Sequence, residues 1–366
     1  MKIKDVTNYL EQVAPLAYQE QYDNAGLLVG DASVEVSKVL VSLDCTEAVV
    51  DEAIAQGCNL IVSHHPIVFK GLKKFTGANY IERTIIKAIQ NHIAIYAIHT
   101  NLDNVFAGVN GKIADRLGLQ DQAILSPKSG MLNKLTVYVP RAAVDTVRTA
   151  LFEAGAGEIG LKYKECSFNS AGYGTFKALQ GADPTVGEIG LQHREEETKI
   201  ELLFPKNLER KVLLALYESH PYEEVAYNIV ALENKLTEIG AGMIGNLIEP
   251  VSETEFLDRI KTQLRCQVIR HTPLSGKQVS RVAVCGGSGG FLLGAAIASG
   301  ADIFVTADYK YHEFFDAESK LVIADTGHFE SEQFTQELIQ ELLQEQFESL
   351  SVQLTTVNTN PIRYYY

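Results

Sequence analysis

At residues 39–43 (VLVSL), 59–63 (NLIVS) and 93–98 (IAIYAI) the chain turns apolar for the length of one strand. Between these runs the apolar residues fall at helical spacing. This alternation constrains the fold more than any other feature. A strand that is apolar on both faces must be covered on both faces, and a helix between successive strands is the connection a parallel sheet requires. Residues 4–14 predict a helix with Val6, Leu10 and Val13 on one face. Thr46 predicts an N-cap for a helix to about Ala55, and further helices follow at 79–90 and near 110–117.

The rhythm breaks near Leu125, where SPKSGMLNK is turn-rich and aperiodic. Beyond it, 134–139 alternates as a strand should, 142–154 reads as a helix, and a Gly-spaced stretch leads to a strand at 198–204. A helix at 207–219 and a strand at 224–232 complete a βα–ββ–αβ order, the ferredoxin-like arrangement. After Asn234 the α/β rhythm resumes. A helix at 252–264 is capped by Ser252 or Thr254, and strands follow at 280–285, 302–306 and 321–324. One amphipathic helix is predicted over 329–347 and a last strand at 352–357. The expected architecture is an α/β domain built from residues 1–126 and 236–366, with an α+β domain of residues 127–235 inserted into it.

Composition narrows the function. Of 366 residues, 46 % are hydrophobic and 21 % charged, which is too apolar and too weakly charged for a disordered chain. No apolar run approaches the roughly 20 residues of a membrane span. The net charge of −14, from 32 basic against 46 acidic residues, argues against a general nucleic-acid binder. None of the five cysteines forms a C-x-x-C pair, so they are expected to be small buried hydrophobes in a reducing compartment. The N-terminal residues lack a long apolar segment, so a cytoplasmic location is expected.

Three strand ends carry the chemistry. Ser63-His64-His65-Pro66 follows the second strand, His99-Thr100-Asn101-Leu102-Asp103 the third, and Asp325-Thr326-Gly327-His328-Phe329-Glu330-Ser331-Glu332 the strand at 321–324. Each has a bland reading: a hydrogen-bonded core histidine, an Asn/Asp turn, and an acidic helix start that favours the helix dipole. Ligands in open α/β sheets bind beyond the carboxyl ends of the strands, and one parallel sheet would bring all three ends to one edge. In extended backbone, His64 and His65 should point in opposite directions. His328 and Glu332, four apart on a helix, share a face. A mixed set of His64, His65, Asp103, His328 and Glu332 suits two first-row divalent ions, and a carboxylate bridging them would activate water for hydrolysis.

Other segments are weaker. Gly286-Gly287-Ser288-Gly289-Gly290 joins a strand to a helix and could cradle a phosphate, or be a plain tight turn. In Thr306-Ala307-Asp308-Tyr309-Lys310-Tyr311-His312, either Lys310 or His312 could meet substrate. Asp23-Asn24-Ala25-Gly26-Leu27 reads as a turn whose Asp23 and Asn24 could line a site.

Taken in order, DNAGLLVG, SHHP, HTNLD, GGSG, TADYKYH, GHFESE and the terminal NPIRY resemble the Nif-three-like family, also labelled GTP cyclohydrolase I type 2. HPYEEVAYNIVAL resembles the inserted PII/CutA-like domain of its longer bacterial members. The resemblance implies a dinuclear centre of Zn, Fe, Mn or Co, with His64, His65, Asp103, His328 and Glu332 on the ligand positions. It also implies a toroidal homohexamer, a trimer of dimers. The activity it implies is hydrolytic opening of the guanine ring of GTP or of a related nucleotide-like substrate, with His99 or His312 moving a proton. Many members read W-D-N-x-G-L where this chain, which has no Trp, places Tyr22 before Asp23. The rival expectation is a ring-shaped regulatory protein with structural metals and a sensing insert. Delivery of metal to other proteins is a third.

Overall fold

The computed structural model describes residues 1–160 and 162–365. The chain divides into two compact units, Met1–Ser126 with Ile239–Tyr366, and Pro127–Glu238. In chain order the strands are β1 (Gly26–Val29), β2 (Val39–Ser42), β3 (Leu60–Ser63), β4 (Ala94–Ala97), β5 (Gln120–Pro127), β6 (Leu132–Pro140), β7 (Phe168–Lys177) and β8 (Gln192–Pro205). There follow β9 (Tyr227–Leu232), β10 (Gly240–Ser252), β11 (Arg270–His271), β12 (Gln278–Ser288), β13 (Ile303–Ala307), β14 (Val322–Asp325) and β15 (Val352–Leu354).

The first unit holds two sheets where the sequence suggested one. The first has the order β1-β4-β3-β2-β15, and the second β11-β14-β13-β12-β10-β5. Strands β15, β2, β3 and β4 are parallel, as are β12, β13 and β14. Strand alternation explains the layers. Val39, Val41, Leu60, Val62, Val282, Val284, Ile303 and Val305 share one buried cluster with residues of the helices Ile3–Val13, Val109–Leu117, Glu253–Gln263 and Thr335–Gln346. Leu40, Ile61 and Ile95, on the reverse face of the first sheet, pack with Val49, Val50 and Ala53 of the helix Glu47–Gln56 and Ile85 of Tyr80–Gln90. On the reverse face of the second sheet, Ala283, Phe304 and Ile323 pack with Leu293 and Ala296.

The caps fall at predicted residues. Thr46 Oγ1 accepts from Val49 N at 3.4 Å, and Ser252, rather than Thr254, accepts from Glu255 N at 3.2 Å. The predicted helix over 329–347 is instead two, His328–Glu332 and Thr335–Gln346. Ser331 Oγ donates to the His328 carbonyl at 2.8 Å and Gln333 Nε2 to that of Glu330 at 3.3 Å. These side chains compete for acceptors that a continuous helix would use. The turn-rich stretch from Leu125 begins only after β5, an edge strand of the second sheet.

In the second unit the sheet order β7-β8-β6-β9 is antiparallel throughout, which is the ferredoxin-like order. The helices Val144–Glu153 and Glu209–Ser219 cover one face, with Val147, Leu151, Val212 and Leu216 against Leu135, Val137, Ile200 and Phe204. The Gly-spaced stretch is the exposed edge strand β7. No helix among the described residues is long and apolar enough to cross a membrane. All five cysteines are free, and Cys45, Cys58, Cys266 and Cys285 are buried.

Candidate metal centre

The three histidine-bearing segments meet, but across two sheets. The ends of β3 and β4 supply His64, His65 and His99, and the end of β14 supplies His328. Backbone bonds from His64 N to the Ser42 carbonyl (3.1 Å) and His65 N to the Leu43 carbonyl (2.9 Å) carry the pairing of β2 and β3 on past Ser63. Ser63 Oγ donates to the His65 carbonyl at 2.9 Å and bends the segment. The His64 and His65 ring centroids therefore lie 4.9 Å apart and converge, rather than pointing in opposite directions.

Each of the four rings is held from behind by an oxygen. His64 Nδ1 donates to the Ile98 carbonyl (2.8 Å), His65 Nδ1 to Asp44 (2.8 Å), His99 Nδ1 to Asp23 (2.7 Å) and His328 Nδ1 to Asp308 (2.7 Å). Such a partner fixes each ring's orientation and turns its Nε2 toward the site. His65 Nε2 and His328 Nε2 stand only 3.3 Å apart. Possible ligand atoms of His64, His65 and His99 form one group within 4.8 Å of one another, and those of His65, His328 and Glu332 form a second.

Glu332 lies between the groups. Its Oε2 is 3.0 Å from both His65 Nε2 and His328 Nε2, and its Oε1 is 3.9 Å from His64 Nε2. Asp103 Oδ1 is 3.6 Å from His64 Nε2, and both atoms are buried without a hydrogen-bond partner. A lone pair facing a carboxylate oxygen in a buried site needs a proton or a cation between them. The electrostatics agree. Burial pushes the His64 pKa down to about 3, so that ring is neutral. Burial, and then the Glu332 charge, raises Asp103 well above the usual carboxylate range. Burial also opposes charge on His65 and His328. Hydrogen bonds to Asp44 and Glu332 nevertheless lift His65 to about 9, and the Glu332 charge with the Asp308 bond lifts His328 to about 11. Burial works against the Glu332 anion, yet the His328 and His65 partners hold it well below its ordinary value. The protons that hold His65 and His328 against Glu332 stand where a cation would, and once they are released two carboxylates and four imidazoles are a donor set for borderline divalent ions.

A cavity of about 500 Å³ opens onto these groups, its walls including Tyr22, Phe69, Ser288 and Phe291. His312 does not join it. That residue is exposed, with its ring against Tyr311 (5.1 Å between centroids) and Phe315 (6.4 Å). Lys310 is also exposed, paired with Glu313. The useful residue of that segment is Asp308, which holds His328 from a left-handed backbone position (φ 59°). Asp44 and Asp308 were not singled out from sequence. Each stands just past the end of a parallel strand, which was the available signal.

The Gly286–Gly290 turn is a packing device rather than a phosphate cradle. Gly286 N donates to Asn110 (3.0 Å), Gly287 N to Ser331 Oγ (3.0 Å) and Gly289 N to Thr306 Oγ1 (3.0 Å). A Cβ on Gly287 would collide with Glu332 Oε1 and lie 3.1 Å from His328 Cε1. These amides are therefore spent, and the missing side chains make room for the ligands.

A family model described as Duf34/NIF3 (NGG1p interacting factor 3) matches residues 1–361. A Bacillus subtilis protein named GTP cyclohydrolase 1 type 2 homolog is 39 % identical over 328 residues, 89 % of this chain and 88 % of its own length. A namesake from Halalkalibacterium halodurans is 39 % identical over 364 residues, 98 % of each chain. Among solved structures, a Bacillus cereus protein related to NIF3 superposes with a TM-score of 0.86 at 37 % identity, covering 100 % of this chain and 99 % of its own.

Proposed function

The chain belongs to the Duf34/NIF3 family, and we propose that it is a metal-dependent hydrolase of a nucleotide-like substrate. One observation carries the reading: four imidazoles and two carboxylates converge beside an open cavity, with His64 Nε2 and Asp103 Oδ1 buried there without a hydrogen-bond partner. In this reading His64, His99 and Asp103 would hold one divalent ion and His65 and His328 the other, with Glu332 placed between the two groups to serve both. His99 acts as a ligand, since Asp23 occupies its Nδ1 and its ring sits with those of His64 and His65. The ions are Zn, Fe, Mn or Co, and a pair so held makes water a nucleophile at neutral pH.

The rest of the site binds. Tyr22 and Phe69 present tilted rings with centroids 6.1 Å apart on one wall of the cavity, a surface against which a planar base can stack. The name of the curated relatives makes GTP the first nucleotide to try. With the amides of Gly286, Gly287 and Gly289 already bonded, a triphosphate would be met by the ions and the histidines.

The test is hydrolysis of GTP and other nucleoside triphosphates by metal-loaded protein, before and after chelation, beside Tyr22→Ala and Phe69→Ala. Turnover that stops on chelation is expected. Each aromatic variant should raise KM by about tenfold, as one lost base stack of ~1–3 kcal/mol implies, with little change in kcat. Bound metal with no hydrolysis of any nucleotide, and a ligand held instead by residues 127–238, would favour the regulatory reading. The homohexamer, a trimer of dimers, is proposed from the family resemblance. Light scattering should then give six times the chain mass of 40.3 kDa.

A further inference from the structure

We propose that the segment following β15, through Thr359 and Asn360, is a positioning strap for the ligands of the metal centre; this rests on the metal-binding reading above. The topology brings it there. β15 runs parallel beside β2, so the chain beyond it leaves the sheet on the same side as Asp44 and the histidines. Along the way the Thr355 hydroxyl donates to Glu52, as does that of Thr356 at 2.6 Å. The segment then passes the site, and Asn360, Pro361 and Ile362 line the cavity.

Two adjacent residues make the decisive contacts. Thr359 Oγ1 donates to Asp44 Oδ2 at 2.6 Å, while Asp44 Oδ1 accepts from His65 Nδ1 at 2.8 Å. Asp44 thus uses one oxygen to aim His65 and the other to be aimed by the strap. Asn360 Nδ2 donates to Glu330 Oε1 at 3.0 Å, a buried bond. Glu330 sits between His328 and Glu332 on the short helix that presents both. Asn360 is itself fixed: it is buried, its Oδ1 accepts from Ile362 N (2.9 Å) and its backbone N donates to Asn358 Oδ1 (3.0 Å). Consecutive residues therefore tie down a ligand from the first sheet and a ligand-bearing helix from the second. The Thr359 tie serves His65 alone, and the Asn360 tie serves the helix that carries His328 and the shared Glu332. The His64–His99–Asp103 group takes its outer partners from Ile98 and Asp23 instead.

The Thr359–Asp44–His65 arm of the strap should accordingly set the affinity of the ion that His65 binds and leave the other unchanged. Outer-shell partners of metal ligands are worth roughly 10–100-fold in affinity. The experiment is titration of metal-free protein with zinc alone, by calorimetry with metal content as a second readout, on wild type, Thr359→Val, Thr359→Ser and Asp44→Asn. The expected result is two sites in wild type. In Thr359→Val one site should weaken by at least about tenfold and the other stay unchanged, with Thr359→Ser restoring the wild-type curve. Combining Thr359→Val with Asp44→Asn should weaken that site no further than Asp44→Asn alone, because both act through one carboxylate. A melting curve of the metal-free variants separates this from a folding defect, which would weaken both sites together and would not be specific to the lost hydroxyl. Thr359→Val with wild-type affinity at both sites would overturn the strap and leave the metal centre standing. No zinc uptake by wild type would overturn the metal-binding reading, and the strap with it.

Discussion

Glu332→Gln is expected to leave the chain unable to hold the proposed pair of ions. Glutamine keeps the size of the side chain but offers one carbonyl oxygen and an amide donor in place of two anionic oxygens. The wild-type carboxylate directs Oε2 at His65 and His328 and Oε1 toward His64. No neutral residue can serve both directions. Metal content should fall below one ion per chain, and the affinity loss should exceed the roughly 10–100-fold attached to an outer partner. Stability provides a second readout. A ligand at 100 times its Kd adds about 2.7 kcal/mol, and at about 2–4 °C per kcal/mol for a large domain that is a gain in Tm of roughly 5–11 °C per site. Wild type should show this gain on adding metal and lose it on chelation, while Glu332→Gln should show neither. His328→Ala and Asp103→Ala should each lose metal as well. Asp103→Ala in addition removes the oxygen facing His64 Nε2, so the vacated pair can no longer share a cation. A Glu332→Gln protein that still carries two ions would sink the bridging assignment.

Much of the fold and of the candidate site was legible because both follow from local patterns. The runs at Val39–Ser42, Leu60–Ser63 and Ala94–Ala97 are apolar on both faces, and that alone implies covered parallel strands. Histidines just beyond the ends of β3, β4 and β14 follow from strand position, so five of the six proposed ligands could be named before any geometry was known, the sixth, His99, being expected to move a proton instead. What was missed depends on contacts distant in sequence. Two sheets instead of one is a matter of which strands pair, and no periodicity encodes partner choice. Strand β1 hid behind the turn signals of Asp23, Asn24 and Gly26, and Asp23, just before it, has its side chain fully buried behind His99. From sequence, His312 and Lys310 stand out over Asp308 because their side chains carry more chemistry in isolation. The backbone decides otherwise. The left-handed turn at Asp308 delivers its carboxylate to His328, and the helical turn Tyr311–Ala317 that follows leaves His312 outside.

Gly287→Ala is expected to damage the metal centre although the residue offers no ligand. Its φ of 59° lies in the left-handed region, where a Cβ costs ~1–2 kcal/mol. The added methyl would also collide with Glu332 Oε1 and sit 3.1 Å from His328 Cε1. A carboxylate at the end of a free side chain could move aside cheaply. Glu332 cannot, because it is buried and its other oxygen is held by His65 and His328 at 3.0 Å. Rotating away from the methyl would pull that oxygen off both rings, so one substitution should weaken both ions, by at least about tenfold if the loss matches that of an outer partner. Gly289→Ala separates this from general damage to the turn. There the Cβ would meet Thr306 Oγ1 and Cys285, which are not ligands. It should lower Tm to a similar degree while folded protein binds both ions normally. Gly294→Ala, in a helix with open space around it, should leave metal binding unchanged and raise Tm slightly, since alanine is favoured over glycine in a helix by up to about 1 kcal/mol. If Gly287→Ala and Gly289→Ala lose stability alike and both bind two ions with wild-type affinity, the glycines serve only chain packing. A selective loss in Gly287→Ala would mean that this glycine is retained for the space its missing side chain leaves to Glu332.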